Sequence, residues 1–300
     1  MSFRDTGLPQ QDAQSDFARE RRRRAFAKAV ARLRFEPDDV GTMLPFEEVV
    51  GALGRVSERD VGIQEIRLDS IAGTVERRRG EFDRDFRPTS SGVRTRWERI
   101  ATARRRGQTM PPIDVYRVGE LHFVQDGHHR VSVARALGDT HIEAHVREVR
   151  TALGAEAQLR LRDLPLKRHE RVFNERVPLA PELRARIKLS DEWRYAQLGT
   201  LVESWGMRAS LARERLLSRA EMAEAWFHEE YEPVVEALSE AHAGGGGTDT
   251  ERYLRVAMLR YLLLATHEGT DEILDALLGS APPPAASDDT MVHLILKDMG

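Results

Sequence analysis

A glycine turn in the middle of the chain joins a predicted strand directly to a predicted helix. The apolar residues 121–124 are typical of a buried strand, and residues 131–137 place apolar side chains at helical spacing before Gly138. The turn between these segments consists of Asp126, Gly127, His128, His129 and Arg130, and we call it the DGHHR turn. Strand, tight turn and helix in immediate succession indicate an α/β unit.

The start of such a helix is a favourable place for an anion. Its first backbone N–H groups lack partners inside the helix, and the helix dipole adds partial positive charge there. Two histidines and an arginine follow the glycine of the DGHHR turn. We therefore expect the anion to be a phosphate.

Composition limits the classes of protein that can carry this turn. The chain has 300 residues, of which 41% are apolar, enough for two domains or for one domain with large additions. A net charge of −3 argues against a molecule that is a basic nucleic-acid binder as a whole. The lack of cysteine excludes disulfides, thiolate catalysis and cysteine-ligated zinc. No apolar run has the length of a membrane span and no signal-peptide pattern opens the sequence, so we expect a cytoplasmic protein without membrane contact.

Basic residues are concentrated near the N-terminus. Residues 1–15 are polar and predicted to be disordered, and residues 17–35 are predicted to form a helix coated with arginines from Arg19 to Arg34. The predicted packed face consists of Phe26, Ala29, Val30 and Leu33. Two interpretations stay open: an arm that binds DNA phosphates, or an ordinary solvated surface helix.

Strand and helix signals divide the chain into three parts. Residues 1–60 form the basic helical arm, residues 61–150 a small α/β unit, and residues 151–300 a mostly helical domain with a Pro-rich linker near residues 280–289. Predicted strands of the α/β unit lie at residues 63–68, 113–118, 121–124 and 142–146, with a helix at 95–106. Further predicted elements are helices capped at Ser190 or Asp191, at Ser218 and at Thr248, a short helix at 271–278 and an apolar tail at 291–296. The predicted core of the helical domain includes Trp193, Trp205 and Trp226.

The DGHHR turn and its surroundings resemble the ParB/sulfiredoxin-like fold. In ParB proteins the corresponding stretch is Gly-Glu-Arg-Arg followed by a helix, in sulfiredoxins it is Gly-Cys-His-Arg, and in the free-serine kinases of this fold it is Asp-Gly-His-His-Arg, as here. The segment Pro-Pro-Ile-Asp-Val-Tyr at residues 111–116 agrees with this resemblance. Residues 69–83 are similar to the first nucleotide-contacting box of ParB, in which an arginine follows a short loop after the first strand. The resemblance covers roughly residues 60–150 and implies a nucleotide-binding domain.

The resemblance also implies a role for each residue of the turn. Gly127 would allow a phosphate to approach the backbone closely. The N–H groups of His128, His129 and Arg130 would point at this phosphate, and the Arg130 guanidinium would bind it through two hydrogen bonds. Asp126 would hold Mg²⁺ or accept the proton of a substrate hydroxyl.

We expect the loop after the first predicted strand to line the other side of the site. In the free-serine kinases a glutamate of the corresponding loop is the proposed base, and the resemblance gives that role to Glu76. Arg77 or Arg78 would bind further phosphate charge. The implied cofactors are Mg²⁺ with ATP, ADP or CTP.

The same residues also have simpler interpretations. The DGHHR turn could be an ordinary Asp-Gly turn with solvent-facing histidines. A zinc site combining His122 with His128 or His129 fits no standard ligand spacing, and adjacent histidines on a helix diverge by about 100°. Ser132 has no evident partner base for a nucleophile and is interpreted as a helix residue.

Three functions stay open from the sequence. The first is an enzyme, namely an ATP- or ADP-dependent kinase or a nucleotide hydrolase. The second is a nucleotide-gated DNA-binding protein of the ParB type, although no Asn-Glu pair follows Val146 and the helix-turn-helix candidate at residues 217–223 lacks a glycine turn. The third is a scaffold without activity. A homodimer is compatible with each of these functions.

Overall fold

The computed structural model describes residues 6–35, 42–76 and 80–264, with side chains up to residue 260. Arg77 and Arg78, the predicted linker at 280–289 and the predicted elements at 271–278 and 291–296 lie outside the described residues. The chain divides into two compact units, Met1–Arg171 and Val172–Gly300.

A six-stranded mixed sheet forms the centre of the first unit. In chain order its strands are β1 (Leu44–Pro45), β2 (Arg55–Arg67), β3 (Ile71–Thr74), β4 (Ile113–Val118), β5 (Leu121–Asp126) and β6 (His141–Thr151). Across the sheet they are arranged in the order β1-β3-β5-β4-β6-β2. Strand β3 is parallel to both β1 and β5, β4 is antiparallel to β5 and parallel to β6, and β2 is antiparallel to β6. The predicted α/β fold class is confirmed, since this unit combines a mixed sheet with helices.

Helices cover both faces of this sheet. They are α1 (Pro9–Leu33), α2 (Phe46–Leu53), α3 (Arg94–Arg105) and α4 (His128–Leu137). Successive residues of a strand point to opposite faces, and Phe123 and Val124 of β5 accordingly belong to separate apolar clusters. Val124 lies in the cluster that includes residues of α1, α3 and α4, whereas Phe123 lies in the cluster formed with α2.

Strand β2 is longer than the sequence predicts. The prediction begins it at residue 63, but the strand extends back to Arg55 and pairs with β6 along its length. Residues 55–60 are all exposed and mostly polar, so they carry no apolar alternation. Charged side chains of this kind are common on edge strands, where they discourage pairing with another chain.

Helix α1 begins earlier than predicted and packs through a different face. It starts at Pro9, inside the segment predicted to be disordered. The predicted packed face is wrong, because Phe26 and Leu33 are 73% and 80% exposed. The residues that α1 buries lie in its first half: Asp12, Ala13, Asp16, Phe17 and Glu20.

A buried ion pair explains this packing. Nη2 of Arg105 on α3 lies 2.5 Å from Oδ2 of Asp16, and Phe17 meets the ring of Trp97 edge-on at 5.5 Å. Charged side chains therefore define much of the packed face, and apolar periodicity cannot reveal them.

The second unit is helical over its described residues. The division between the units falls within α5 (Leu164–Arg176). It is followed by α6 (Pro181–Arg184), α7 (Glu192–Ala212), α8 (Arg219–Trp226), α9 (Glu232–Glu240) and α10 (Asp249–Leu264). Of the two predicted candidates Ser190 and Asp191, Asp191 caps α7, and the side chains of Ser218 and Thr248 cap α8 and α10 as predicted.

Two predictions for the second unit differ in outcome. Trp226 is fully buried and donates a hydrogen bond from Nε1 to the hydroxyl of Tyr253 at 2.9 Å, whereas Trp193 is 65% exposed and does not belong to the core.

A π-helical turn, Phe227–Tyr231, connects α8 to α9 without interruption. The helix-turn-helix candidate at residues 217–223 therefore continues as one helical run to residue 240.

None of the helices within the described ranges combines the length and apolar character needed to cross a bilayer.

Candidate functional site

The DGHHR turn lies at the end of a pair of parallel strands. Strands β3 and β5 are neighbours with Thr74 opposite Val124, so their carboxyl ends meet at the same edge of the sheet. Asp126 is the last residue of β5, and Glu76 follows the end of β3 by two residues. In open α/β sheets this edge is where ligands usually bind. The two carboxylates predicted from the sequence therefore flank one edge.

Gly127 allows the tight passage from β5 into α4. Its φ of +108° lies in the left-handed region, and a Cβ at this position would be 2.4 Å from Cγ2 of Ile113. Glycine is thus required both by backbone conformation and by contact with β4. The contact of Gly127 with Ile113 is a packing requirement that the sequence did not suggest.

The first turn of α4 is open. No side chain in the described ranges caps this helix start, and the first helical hydrogen bond runs from the N–H of Val131 to the carbonyl of Gly127 at 3.0 Å. The N–H groups of His128, His129 and Arg130 precede that bond and need an acceptor from outside the helix. An anion or water can supply it.

The Arg130 guanidinium already has acceptors within the protein. Nη1 donates to the carbonyls of Pro111 and Pro112 at 2.7 and 2.6 Å, and Nη2 donates to Oδ2 of Asp126. Arg130 thereby ties the start of α4 to the segment before β4 and forms an ion pair with one carboxylate oxygen of Asp126. The predicted contact of its two terminal nitrogens with a phosphate would require a rearrangement of these bonds.

His128 lies near both carboxylates. Its Nε2 is 2.7 Å from Oγ1 of Thr74, its Nδ1 is 4.0 Å from Oε1 of Glu76, and its ring stacks on Phe86. Burial lowers the pKa of His128, and the nearby charges of Glu76 and Asp126 oppose this shift. Thr74 and Phe86 are site residues that the sequence did not single out.

His129 points in a different direction from His128. It is 8% exposed, it meets the ring of Phe82 edge-on, and its Nδ1 has no hydrogen-bond partner in the described part of the chain. Burial lowers the pKa of His129 to about 4, and the charges of Arg96 and Arg99 act in the same direction.

A zinc site is not supported by the positions of the histidines. His122 is buried with its Nδ1 2.9 Å from Oγ of Ser70. Among residues 6–35, 42–76 and 80–264, no group of three or more histidine or carboxylate side chains is placed to hold a metal ion.

Ser132 has a structural partner. Its hydroxyl oxygen accepts a hydrogen bond from the buried indole Nε1 of Trp97 at 2.8 Å, which joins α3 to α4. The interpretation of Ser132 as a helix residue is consistent with this bond. The arginines next to Trp97 on α3, Arg96 and Arg99, were not among the predicted site residues.

The chain matches no protein-family model, and comparisons with curated proteins and with solved structures likewise find no match.

Proposed function

We propose that the first unit binds the phosphates of a nucleotide, together with Mg²⁺, at the start of α4, and that it transfers or hydrolyses a phosphate there. The observation that carries this proposal is an uncapped helix start with a carboxylate on each side. Asp126 ends β5 directly before the helix, and Glu76 follows the neighbouring parallel strand.

Two carboxylates beside a phosphate require a cation between them. Mg²⁺ is usually held by one or two carboxylates together with substrate phosphates, and it needs no complete set of protein ligands. Asp126 and Glu76 fit that pattern, since both side chains are more than half exposed and no larger ligand group occurs in the described ranges. When bound, Mg²⁺ would neutralise charge on the phosphates.

The two carboxylates would have different tasks. Asp126 would hold the metal ion, because it stands at the mouth of the open helix start. Glu76 would accept the proton of the attacking hydroxyl or water, as a general base must lie within reach of that proton. The side chains of Asp126 and Glu76 both lie close enough to His128 to affect its pKa, which supports a shared site.

The resemblance to the ParB/sulfiredoxin-like fold belongs to this proposal. A DGHHR turn between β5 and α4, with Pro111 and Pro112 before β4, is compatible with that fold. The proposed nucleotide is ATP, ADP or CTP, and the acceptor is a small hydroxyl compound or water.

A nucleotide panel tests the proposal. The melting temperature should rise with Mg²⁺ and at least one of ATP, ADP or CTP, because a ligand that binds only the folded state stabilises it. Phosphate release or transfer should then fall by about a hundredfold or more in Asp126→Asn, the size expected when a group that acts on the reacting phosphate is lost. If none of the three nucleotides shifts the melting temperature, the proposal fails.

The second half of α1 favours a second candidate function, DNA binding gated by a nucleotide. Arg21, Arg22, Lys28 and Arg32 are exposed and have no ion-pair partner among the described residues. Arg24 is instead bonded to the carbonyl of Thr89 within the first unit. Exposed basic residues along one helix suit the phosphates of a duplex.

Salt dependence distinguishes this candidate from an ordinary surface helix. The affinity for a DNA duplex should fall steeply as the salt concentration rises. In the double variant Arg21→Gln/Arg22→Gln, the slope of log affinity against log salt concentration should be shallower by the amount expected for about two lost phosphate contacts. A wild-type protein that binds no duplex at low salt would exclude DNA binding through α1.

A further inference from the structure

We propose that Arg96 and Arg99 of α3 bind the phosphates of the ligand held at the start of α4. This inference rests on the proposed nucleotide site and adds residues to it. The sequence predicts phosphate contacts for Arg130 and for Arg77 or Arg78, but not for α3.

A polyphosphate needs a cation that is not already neutralised. Within the DGHHR turn the permanent cation is Arg130, whose Nη2 donates to Asp126 and whose Nη1 donates to the carbonyls of Pro111 and Pro112. Helix dipoles and N–H groups alone offer only partial charges. Besides the proposed Mg²⁺, an unpaired guanidinium near the start of α4 would add a full positive charge for the phosphates.

The packing of α3 against α4 places the first half of α3, which carries Arg96 and Arg99, beside the first half of α4. Trp97 Nε1 is 2.8 Å from Ser132 Oγ, and Arg104 Nη2 is 3.2 Å from Asp139 Oδ2. Both pairs are separated by 35 residues. The two helices therefore run side by side in the same direction, with the start of α3 beside the start of α4.

The flank of α3 that carries Arg96 faces α4. Ile100 lines a cavity of about 200 Å³ together with Arg130 and Val133 of α4. Arg96 lies one turn before Ile100 on the same side of the helix, and Arg99 lies next to it at a spacing of three residues. Consistent with this position, the charges of both arginines lower the pKa of His129, and the charge of Arg96 also lowers the pKa of His128.

Arg96 and Arg99 are also available for a ligand. Both are exposed, and neither has a hydrogen bond or ion pair within the part of the chain that the structure describes. Other arginines of α3 are paired with carboxylates, namely Arg94 with Glu98, Arg104 with Asp139 and Arg105 with Asp16. An unpaired guanidinium can bind a phosphate through two parallel hydrogen bonds.

Isothermal titration calorimetry with Mg²⁺ and inorganic triphosphate tests this role without any contribution from a nucleobase. Arg96→Gln and Arg99→Gln should each weaken triphosphate binding by about tenfold, the usual scale for one charge-assisted hydrogen-bonding group. The same loss should appear with the nucleotide that stabilises the wild type. Arg106→Gln is the matched control, because Arg106 is an exposed arginine at the far end of α3 and should leave the affinity unchanged.

The possible failures can be told apart. If the wild type binds triphosphate and a nucleotide but both α3 variants bind them equally well, Arg96 and Arg99 are not phosphate ligands and the nucleotide site stands. Equal losses in all three variants would indicate a general effect of net charge and overturn the assignment. If the wild type binds neither ligand, the proposed function and the role of α3 fall together. Unchanged melting temperatures of the free variants would show that each variant is folded.

Discussion

The Nη2 of Arg130 donates a hydrogen bond to the carboxylate of Asp126, four residues earlier in the chain. The same guanidinium reaches the carbonyls of Pro111 and Pro112 through Nη1. The side chain of Arg130 is 14% exposed and that of Asp126 is 61% exposed. One arginine therefore holds together the end of β5, the start of α4 and the segment that enters β4, while leaving the carboxylate of Asp126 accessible.

Replacing Arg130 should destabilise the first unit. Arg130→Gln removes charge-assisted hydrogen bonds to two largely fixed carbonyls, and we expect the free energy of unfolding to fall by about 2 kcal/mol. Urea unfolding monitored by circular dichroism measures the change. Arg96→Gln is the control for loss of one positive charge, and its effect should stay within about 0.5 kcal/mol because Arg96 is exposed. Equal stability of the two variants would show that the bonds of Arg130 contribute nothing.

The contact between Gly127 and Ile113 should make position 127 intolerant of any side chain. Gly127→Ala would place a Cβ 2.4 Å from Cγ2 of Ile113 at a φ of +108°. We expect a loss of about 3 kcal/mol in the free energy of unfolding, combining backbone strain with overpacking.

A second glycine separates these two causes. Gly107 also has a positive φ, of +75°, but an added Cβ there would meet nothing within 4 Å. Gly107→Ala should therefore show only the strain, about 1 kcal/mol. Similar losses at both positions would mean that Ile113 moves aside without cost.

Local signals in the sequence predicted the surroundings of the turn well. Strand β4 has the bounds Ile113–Val118 that the sequence suggests, because Pro111-Pro112 and Gly119-Glu120 mark its two ends. Helix α4 starts directly after Gly127 for the same kind of reason. These proline and glycine signals act through local backbone conformation and do not depend on distant contacts.

Features that depend on distant contacts were not predictable in the same way. The partners of Arg130 include carbonyls 18 and 19 residues away, and the packed face of α1 depends on the bond between Asp16 and Arg105, 89 residues apart. A paired charge and a solvated charge look the same in a sequence. For this reason only the structure distinguishes Arg96 and Arg99 from the paired arginines of α3.

The hydroxyl of Thr74 should matter more than its methyl group. Oγ1 of this buried residue accepts a hydrogen bond from the N–H of Glu76 at 3.0 Å and lies 2.7 Å from Nε2 of His128. Thr74→Val keeps the shape and leaves these groups without their partner, so we expect a loss of about 1.5 kcal/mol in the free energy of unfolding.

Serine at this position provides the matched comparison. Thr74→Ser keeps the hydroxyl and removes one methyl group, which should cost about 1 kcal/mol or less in urea unfolding. If the proposed function is correct, phosphate release should fall in Thr74→Val and persist in Thr74→Ser, because Glu76 keeps its backbone anchor only in the latter. Indistinguishable behaviour of the two variants would remove Thr74 from the site.

Burial of His122 should make the stability of the first unit depend on pH. Burial lowers the pKa of His122 from the ordinary 6.5 to about 4, and the charge of Arg117 adds to this shift. The unfolded chain therefore takes up a proton at a higher pH than the folded chain. The contribution of His122 to stability is present well above pH 6.5 and is lost as the pH falls towards 4, by about 1.6 kcal/mol between pH 6.5 and pH 5.

Urea unfolding at these two pH values, in wild type and in His122→Leu, measures the contribution of His122. The decrease in the free energy of unfolding should be about 1.6 kcal/mol smaller in the variant, because a leucine side chain binds no proton. His129 remains in both proteins, so its own contribution cancels in the comparison. Ser70→Ala is the control, since it removes the hydroxyl 2.9 Å from Nδ1 but leaves the imidazole buried. Its pH dependence should resemble that of the wild type, and an unchanged slope in His122→Leu would show that His122 does not stay neutral in the folded chain.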